Sequence, residues 1–372
     1  MRLARPGRPV RRTRPLAGRS RPGRGGVALA AALVAASTTL VAPAAAATGA
    51  SARTSTGTSV TDGSVAARQV TVEVRPRAQD DGTFAVDTAT SAYAAWRAAT
   101  GAAKEQLAPL ALTPTARWLT QKDPAVARAD ALRYTTAARD AGRTALVVLY
   151  AIPDRDCGSY SAGGTSAEAY GAWVRTVATG LVGDVWVVLE PDALAMVDRC
   201  GDGETRLRLL RQAAADLTAA GARVYVDAGH ARWMPAATAA ARLRAVGVEN
   251  LAGFALNTSN FYPTADNVTY GRRVVELLGG GHFVVDTSRN GAGHNGQWCN
   301  PPGRAIGAPT QRVPDVALDA LLWIKHPGHS DGTCNGGPPA GTWWPDQARD
   351  LVATAAGRDP APFPLVVACP PA

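Results

Sequence analysis

The sequence predicts an α/β fold in which a mainly parallel sheet closes, or nearly closes, into a β/α barrel. Apolar runs alternate with alanine-rich helical stretches along the chain. That order is typical of parallel strands joined by right-handed helical crossovers. The apolar runs are continuous, which indicates strands that are covered on both faces. Seven or eight such units in about 300 residues have the size of one barrel domain.

Each apolar run is predicted to be a strand, and each alanine-rich stretch a helix. The predicted strands are 117–120, 145–152, 184–190, 222–228, 251–257, 282–287, 319–325 and 364–368. The predicted helices are 124–141, 165–182, 203–220, 235–246, 269–279 and 345–356. In a parallel barrel the carboxyl ends of the strands share one face, so residues that follow the strands are expected to meet there.

The first 47 residues predict a secretory signal peptide. Residues 1–26 are rich in arginine, residues 27–41 are small and apolar, and Ala-x-Ala-like cleavage sites follow. A membrane anchor is the alternative, but an apolar run of about 15 residues is short for a bilayer span. We therefore expect a secreted, extracellular protein. Residues 48–84 are predicted to be a disordered linker rich in Ser, Thr, Gly and Ala, and residues 85–372 a single folded domain.

The distribution of charge argues against a nucleic-acid partner. The formal net charge is +9, and the nine arginines of residues 1–26 account for all of it, since no acid lies among them. The high isoelectric point therefore belongs to the leader. A nearly neutral remainder is suited to an uncharged partner such as a polysaccharide.

Five cysteines are expected to pair at least in part, because disulfides are the default in exported proteins. They are Cys157, Cys200, Cys299, Cys334 and Cys369. Four of them could form two bridges and leave one over. Zinc binding is the alternative, but no two cysteines lie close enough for a CxxC knuckle.

Four aspartates lie at the ends of predicted strands or in the polar loops that follow them. They are Asp156, Asp192, Asp227 and Asp331. Taken singly, Asp192 could be a helix N-cap before the helix-like ALAMV, and Asp156 or Asp331 could belong to a surface turn. Apolar walls and neighbouring carboxylates raise the pKa of an acid, so the four together favour acid/base chemistry on an uncharged substrate.

Three tryptophans lie in or near the same loops. Trp118, Trp233 and Trp298 could stack on the apolar faces of sugar rings, or they could pack in the core. His230 lies three residues after Asp227, but a metal site needs further converging ligands that the sequence does not show. No metal or cofactor is therefore expected.

Six ordered motifs together resemble the family 6 glycoside hydrolases, which act on cellulose. They are YAIPDRDC, LEPDALA, DAGHARW, NTSNF, DTSRNG with WCN, and WIKHPGHSDG, and the match as a whole runs from about Trp118 to the C-terminus. The resemblance implies a distorted, seven-stranded β/α barrel and hydrolysis of β-1,4-glucan with inversion at the anomeric carbon. An inverting enzyme needs an acid and a base-activated water on opposite sides of the bond, with the carboxyl groups roughly 6.5–9.5 Å apart.

The resemblance also implies a role for each aspartate. Asp192 matches the proton donor, and Asp156 matches the carboxylate that raises the donor's pKa and helps to organise the attacking water. Asp331 matches the proposed base. Asp227 matches an aspartate that supports substrate binding and the electrostatics of the site.

Further positions match the family's substrate-binding residues and disulfides. The substrate-binding matches are Tyr150, Arg155, Trp118, His230, Trp233, Asn257, Trp298, Lys325 and His329. Among them, Tyr150 matches a tyrosine near the distorted sugar and Arg155 a residue that positions the acids. The pairs Cys157–Cys200 and Cys299–Cys334 resemble the family's two bridges, which leaves Cys369 unpaired.

The chain departs from the family pattern at two positions. His329 stands four residues after Lys325, where the family usually has a glutamate that binds a sugar hydroxyl. Ala162 stands where a serine is usual, although Ser161 is adjacent. Both departures could lower activity on cellulose without abolishing the mechanism.

Loop lengths favour internal cleavage. Family members that act at chain ends cover the cleft with two long loops, whereas Cys299 and Cys334 are only 35 positions apart and residues 227–257 are also short. We therefore expect a monomeric endo-β-1,4-glucanase whose partner is β-1,4-glucan, with no nucleic-acid partner and no membrane association after signal cleavage. The alternatives are a chain-end cellobiohydrolase and a catalytically weak glucan-binding barrel.

Overall fold

The described chain forms a β/α barrel with helices around it. The computed structural model of the protein describes residues 67–72, 83–358 and 363–368. Its strands are β1 (Ala67–Val72), β2 (Arg117–Leu119), β3 (Ala145–Leu149), β4 (Val185–Leu189), β5 (Arg223–Asp227), β6 (Gly253–Leu256), β7 (Phe283–Asp286), β8 (Gln311–Arg312), β9 (Leu318–Leu322) and β10 (Phe363–Ala368). Its α-helices are α1 (Ser91–Ala98), α2 (Gly101–Leu112), α3 (Pro124–Asp140), α4 (Ala167–Ala178), α5 (Gly203–Ala219), α6 (Ala236–Val246), α7 (Thr264–Leu278) and α8 (Pro345–Ala355). The predicted signal peptide and Cys369 lie outside the described residues.

Eight strands form the main sheet, in the order β2-β3-β4-β5-β6-β7-β9-β8. The first seven in this order are parallel, and β8 pairs antiparallel with β9 through Gln311 and Arg312. The prediction of a β/α barrel is confirmed, but the strand count is eight instead of seven. The additional strand has only two residues, which is too short to produce an apolar run in the sequence.

The barrel closes at a seam between the residue before β2 and the residue after β9. Thr115 forms a parallel bridge with Trp323, and the Ala116 amide donates a hydrogen bond of 3.0 Å to the Trp323 carbonyl. The indole nitrogen of Trp118 donates a further bond of 2.8 Å to the Ile324 carbonyl. The seam therefore brings Trp118 beside the loop that follows β9.

The continuous apolar strands are explained by burial on both faces. In β3, Leu146 and Val148 face the barrel interior, whereas Val147 and Leu149 pack in the layer between sheet and helices. Trp186 fills the interior with its ring centroid 5.2 Å from Phe84 and 5.2 Å from Tyr225. Fully burying one such side chain stabilises the fold by roughly 1.5–3 kcal/mol, so these layers dominate the stability of the barrel.

Strands β1 and β10 form a separate two-stranded antiparallel sheet. The strand predicted at 364–368 is thus present but lies outside the barrel sheet. Its partner β1 falls within residues 48–84, which the sequence predicted as a disordered linker, so that prediction is wrong for residues 67–72. The Val-rich stretch ARQVTV is short, and only its pairing with β10 distinguishes it from its surroundings.

Helices α1 and α2 were not predicted. Pro109 lies inside α2, whose apolar residues have no strong helical periodicity, and α1 has only eight residues. They are held by packing: Leu107 and Leu110 cluster with Trp323 and with Ala348 of α8. The two helices thus support the outer side of the seam.

No helix in the described ranges is both long and apolar enough to cross a membrane.

Candidate active site

The candidate site lies where the loops after β3, β4, β5 and β9 meet. Asp227 is the last residue of β5, and Glu190 and Asp192 follow β4 directly. Tyr150 and Asp156 follow β3, whereas Lys325 and Asp331 follow β9. Because the strands are parallel, their carboxyl ends bring these side chains to one end of the barrel.

Asp192 is held by its two predicted neighbours. Its backbone amide donates to Asp227 Oδ1 at 2.9 Å, and the Tyr150 hydroxyl donates to Asp192 Oδ2 at 3.3 Å. Residues 191–199 form turns, and the next α-helix begins only at Gly203. The interpretation of Asp192 as a helix N-cap is therefore wrong.

The surroundings of Asp192 favour its protonated form. Burial raises its pKa first, and the nearby carboxylates of Asp227 and Asp156 raise it further, to about 8. The hydrogen bond from Tyr150 and the charge of Lys325 oppose this shift only in part. A carboxyl group with such a pKa carries a proton near neutral pH and can donate it.

Asp227 supports Asp192 from beneath. Its side chain is buried, and Oδ1 accepts from the amides of Asp192 and Gly229, the latter at 3.1 Å. Burial raises its pKa to about 6. Asp227 and Asp192 therefore compete for one negative charge, which keeps a proton on the pair.

Asp156 begins a 3₁₀ turn, Asp156–Gly158, in the loop after β3. Its Oδ2 accepts from the Ser161 amide at 2.8 Å. Burial raises its pKa, although the Ser161 amide and the Arg155 charge act in the opposite direction. The carboxyl group of Asp156 is thus hydrogen-bonded to the residue adjacent to Ala162, where the family resemblance led us to expect a serine.

Arg155 holds the same loop together and does not reach the acids with a hydrogen bond. Its Nη1 donates to the Tyr150 carbonyl at 2.6 Å and its Nε to the Ser161 carbonyl at 2.7 Å. Its guanidinium also lies 4.6 Å from the centroid of the Tyr150 ring. Arg155 therefore fixes where Tyr150 and the Asp156 loop lie relative to each other.

Asp331 has the opposite electrostatic surroundings. It lies 2.9 Å from Arg289 Nη1 and 3.1 Å from Lys325 Nζ, and its Oδ2 also accepts from the Asn300 amide at 3.0 Å. Burial alone would raise its pKa, but the two cations and these hydrogen bonds outweigh burial and lower it. Asp331 is thus a stable carboxylate and not merely part of an Asp-Gly turn.

A cleft of about 440 Å³ lies beside these acids. Its lining includes Trp118, Tyr150, Arg155, Tyr160, Lys325 and His329. The Trp118 ring meets Tyr150 edge-on at 5.4 Å between centroids. Trp298 is 53% exposed and lies 6.0 Å from Tyr160, so an aromatic surface remains open to solvent near the Asp156 loop.

A second aromatic group contains His230 and Trp233. Their ring centroids are 5.1 Å apart, and His230 also stacks on Tyr262 at 4.3 Å. Tyr262 in turn stacks on His294 at 4.1 Å. Burial lowers the pKa of His230 to about 4, so this ring is neutral. Among the described residues, no group of three or more potential metal ligands converges.

Asn257 lies beneath the loop surface instead of on it. Its side chain is fully buried, and its amide nitrogen donates to the carbonyls of Tyr262 at 3.1 Å and Asp286 at 2.9 Å. Asn257, predicted to bind substrate, therefore connects the loop after β6 to the end of β7 through these hydrogen bonds.

Both predicted disulfides are present, Cys157–Cys200 and Cys299–Cys334. The first joins the loop after β3 to the turns after β4, and so flanks Asp156 and Asp192. The second joins the segment that carries Trp298 to the loop that carries Asp331. The zinc alternative is wrong for these four cysteines.

Five further residues organise the site and were not predicted: Glu190, Asp286, Arg289, Asn300 and His326. Glu190 is fully buried and accepts from the Ala151 and Ile152 amides, both at 3.0 Å. Asp286 accepts from the Ser259 amide at 2.9 Å and the Lys325 amide at 3.1 Å. Glu190 and Asp286 both lie at the carboxyl ends of apolar strands. The sequence pattern that identified the four aspartates, an acid after an apolar run, therefore also applies to these two residues.

The backbone at this face is unusual. Asp156, Glu190, Asp192 and Asn257 all have positive φ, at 56°, 49°, 70° and 67°. Non-glycine residues rarely adopt this left-handed conformation, although Asp and Asn do so more readily than others. Such residues persist only where the surrounding structure holds them, which is common at functional sites.

Comparison with known proteins gives consistent matches. Endoglucanase A of Cellulomonas fimi is 52% identical over 274 residues, which cover 73% of this chain and 61% of that protein. Endoglucanase 1 of Streptomyces halstedii is 40% identical over 280 residues, covering 72% of this chain and 86% of that protein. The chain thus spans less than two thirds of the length of the Cellulomonas relative.

A solved structure also matches. The endoglucanase Cel6 of Mycobacterium tuberculosis, in complex with methyl-cellobiosyl-4-deoxy-4-thio-β-D-cellobioside, is 44% identical with a TM-score of 0.70. The match covers 73% of this chain and 97% of that one. The sequence profile of Glycosyl hydrolases family 6 matches residues 78–355. The resemblance drawn from the six motifs is confirmed, and the chain belongs to glycosyl hydrolases family 6.

Proposed function

We propose that the protein is a secreted, inverting endo-β-1,4-glucanase. One observation carries the proposal: the strand-end loops at one end of the barrel hold a carboxyl group with a raised pKa, Asp192, and a carboxylate with a lowered pKa, Asp331. Inverting hydrolysis needs one acid in each of these two protonation states. The relatives named endoglucanases support the substrate class.

Asp192 is proposed to protonate the leaving oxygen. The Tyr150 hydroxyl at 3.3 Å orients its carboxyl group, and Asp227 and Asp156 supply the negative charge that keeps the proton bound. As the glycosidic bond breaks, Asp192 becomes an anion beside the same two acids. The charge developing on the sugar is positive, so these carboxylates also stabilise the transition state.

The attacking water is proposed to lie between Asp156 and Asp331. Asp331 remains ionised through its contacts with Arg289 and Lys325, which makes it available as an acceptor but weakens its basicity. Asp156 is the stronger acceptor because its pKa is raised. We propose that Asp156 orients the water and that Asp331 takes part as the base.

Azide distinguishes a base from a merely electrostatic residue. In Asp331→Ala, azide can enter where the water was activated and needs no deprotonation, so restored turnover would support the role as base. If azide restores nothing while the variant is folded, Asp331 serves to hold Arg289 and Lys325 in place. Asp156→Gly is the matched variant on the other side of the proposed water, because glycine tolerates the positive φ of 56° at this position.

Internal cleavage is tested on carboxymethylcellulose. We expect viscosity to fall well before reducing ends accumulate, because an open cleft admits the middle of a chain. A proportional change would favour the chain-end cellobiohydrolase, and binding without turnover would favour the weak glucan-binding barrel. Proton NMR of the first product should show the α-anomer, and a β-anomer would contradict inversion.

Secretion, monomeric state and independence from cofactors complete the proposal. N-terminal sequencing of the exported protein should locate cleavage near Ala45 to Ala47, and light scattering should give the mass of one mature chain. Dialysis against a chelator should leave turnover unchanged. A full-length chain retained in the cells would contradict the predicted export.

A further inference from the structure

We infer that His326 and His329 form a two-imidazole relay that presents an unprotonated nitrogen of His329 to the cleft as an acceptor for a sugar hydroxyl. His326 acts as a positioning residue, and His329 determines which groups the cleft accepts at this point. The inference rests on the proposed function, because it requires a glucan in the cleft. It assigns a role to His326, which the motifs left without one.

The position of the first hydrogen follows from the seam of the barrel. His326 Nε2 lies 2.7 Å from the carbonyl oxygen of Ala116. A carbonyl oxygen only accepts, so Nε2 of His326 must carry a hydrogen and donate it. A neutral imidazole has one N–H, and His326 Nδ1 is therefore an unprotonated acceptor.

The second hydrogen is then fixed as well. His326 Nδ1 lies 3.4 Å from His329 Nδ1, with the two rings perpendicular and their centroids 4.7 Å apart. Two nitrogens at this distance are compatible only if one of them donates. Since Nδ1 of His326 is the acceptor, His329 carries its hydrogen on Nδ1. Nε2 of His329 is consequently left as an acceptor.

Both rings must be neutral for this argument, and their surroundings keep them so. Burial lowers the pKa of His326 to about 4 and that of His329 to about 2. The cations of Lys325 and Arg289 act on His329 in the same direction. A second proton on either ring is therefore excluded near neutral pH, and each ring keeps a single tautomer.

The free acceptor lies on the cleft side of the relay. His329 lines the cleft together with Trp118 and Lys325, and within the described ranges its Nε2 has no hydrogen-bond partner. A backbone bridge joins His329 to Trp343, whose ring lies 6.1 Å away. The ring is thus held on one side by His326 and on another by Trp343, with its acceptor edge available.

The chemistry of this acceptor differs from that of a carboxylate. An uncharged imidazole nitrogen takes a hydrogen from a hydroxyl group but adds no negative charge to a wall that already contains Lys325. The indole offers an apolar surface on which the apolar face of a pyranose ring can stack. The imidazole nitrogen offers a directed acceptor to which a hydroxyl group of the same sugar can donate. The group recognised is therefore a neutral hydroxyl.

The tautomers can be read directly. The chain has five histidines, so long-range ¹H–¹⁵N correlation spectra of the intact protein can resolve each ring. We expect the Nε2–H form for His326 and the Nδ1–H form for His329. Cellotetraose added to the Asp192→Asn protein should shift the Nε2 signal of His329. An Nε2–H form of His329 would overturn the relay, whatever the enzyme does with glucan.

Substitutions then test the role in recognition. His329→Phe removes the acceptor, and we expect cellotetraose to bind about 5- to 20-fold more weakly in the Asp192→Asn background. His326→Phe leaves the His329 side chain in place but removes the acceptor for its Nδ1, so we expect a similar loss, and the double variant should lose no more than either alone. Independent, multiplying losses would overturn the coupling of the two rings.

A conservative variant separates positioning from packing. Glutamine in His326→Gln can donate to the Ala116 carbonyl and accept from His329 Nδ1 with one side chain, so we expect it to retain most of the affinity lost in His326→Phe. Equal losses in both variants would show that only ring packing matters. If wild-type protein does not bind cellotetraose at all, the proposed function fails, whereas the tautomer spectra still decide the relay.

Discussion

The loops after β4 and β9 hold the same functional group in opposite electrostatic states. Asp192 is surrounded by acids: the Asp227 carboxylate accepts from its amide, and Asp156 lies close enough to raise its pKa. Asp331, whose side chain is 7% exposed, is bound by the cations of Arg289 and Lys325. One carboxyl group retains its proton and the other does not.

This difference shows that charged neighbours decide whether the effect of burial on the pKa prevails at these two acids. Burial favours the neutral form in both cases. Only Asp331 has charged partners that outweigh it. Asp192 and Asp331 each follow an apolar strand, so this sequence pattern does not distinguish them. Their different protonation states depend on residues contributed by other strands.

The largest effect is expected for Asp192→Asn, which keeps the shape of the side chain but removes the carboxyl group that donates the proton. We expect turnover on cellulose-derived substrates to fall by about 10²- to 10⁴-fold, the usual contribution of a general acid, while oligosaccharide binding persists. Steady-state kinetics with a calorimetric binding measurement test this. Asp198→Asn, in the same run of turns and exposed to solvent, is the control and should keep full turnover. Unchanged turnover in Asp192→Asn would mean that another residue is the donor.

Asp331→Asn removes the carboxylate that is paired with two cations. It leaves Arg289 and Lys325 as buried cations without their counterion, so we expect the free energy of unfolding to fall by about 3–5 kcal/mol. Denaturant titration at neutral pH measures this loss. In the wild type the stability from Asp331 is present above its unfolded pKa and is lost as pH falls through the lowered folded pKa. The difference in free energy of unfolding between the wild type and Asp331→Asn should therefore become smaller at acidic pH.

An exposed ion pair provides the matched control for that measurement. Asp346→Asn removes a partner of Arg349 on the surface of α8 and should change stability by less than about 0.5 kcal/mol. Equal effects of the two substitutions would contradict the buried, charge-paired state of Asp331.

Asp227→Asn tests how much the charge of Asp227 contributes to the raised pKa of Asp192, and its expected effect is smaller. Asn can still accept from the Asp192 and Gly229 amides, but it removes a negative charge beside the donor. Asp192 must be protonated to act, so kcat/KM should decline as pH rises through about 8 in the wild type. We expect this alkaline limb to move down by roughly one pH unit or more in Asp227→Asn. A limb that stays in place would assign the raised pKa to burial and to Asp156, with no contribution from Asp227.

The sequence predicted the barrel because its strands are buried on both faces, and it located the site because parallel strands end on one face. The predicted strands end within about three residues of the observed ones, which left every strand-end acid in its correct loop. The two disulfides were predicted from the resemblance, since spacing alone did not choose among pairings.

What the sequence could not supply were contacts between distant segments. Strand β1 pairs with β10, and helices α1 and α2 pack around Trp323, so contacts with distant segments define all three elements. The same applies to Arg289 and Asn300, whose partner Asp331 lies 42 and 31 residues away. His326 resembled any exposed loop histidine until the seam placed it against Ala116.

The left-handed backbone at Asp156 and Asp192 affects how a mutational library of this enzyme should be interpreted. Alanine carries a penalty of about 1 kcal/mol or more in that conformation, whereas asparagine and glycine are tolerated. An alanine scan would therefore confound lost chemistry with lost folding at the residues that matter most. Selection for expression alone should enrich Asn and Gly at these positions, and selection for turnover should retain only Asp, so two screens of one library would separate the scaffold's requirement from the reaction's.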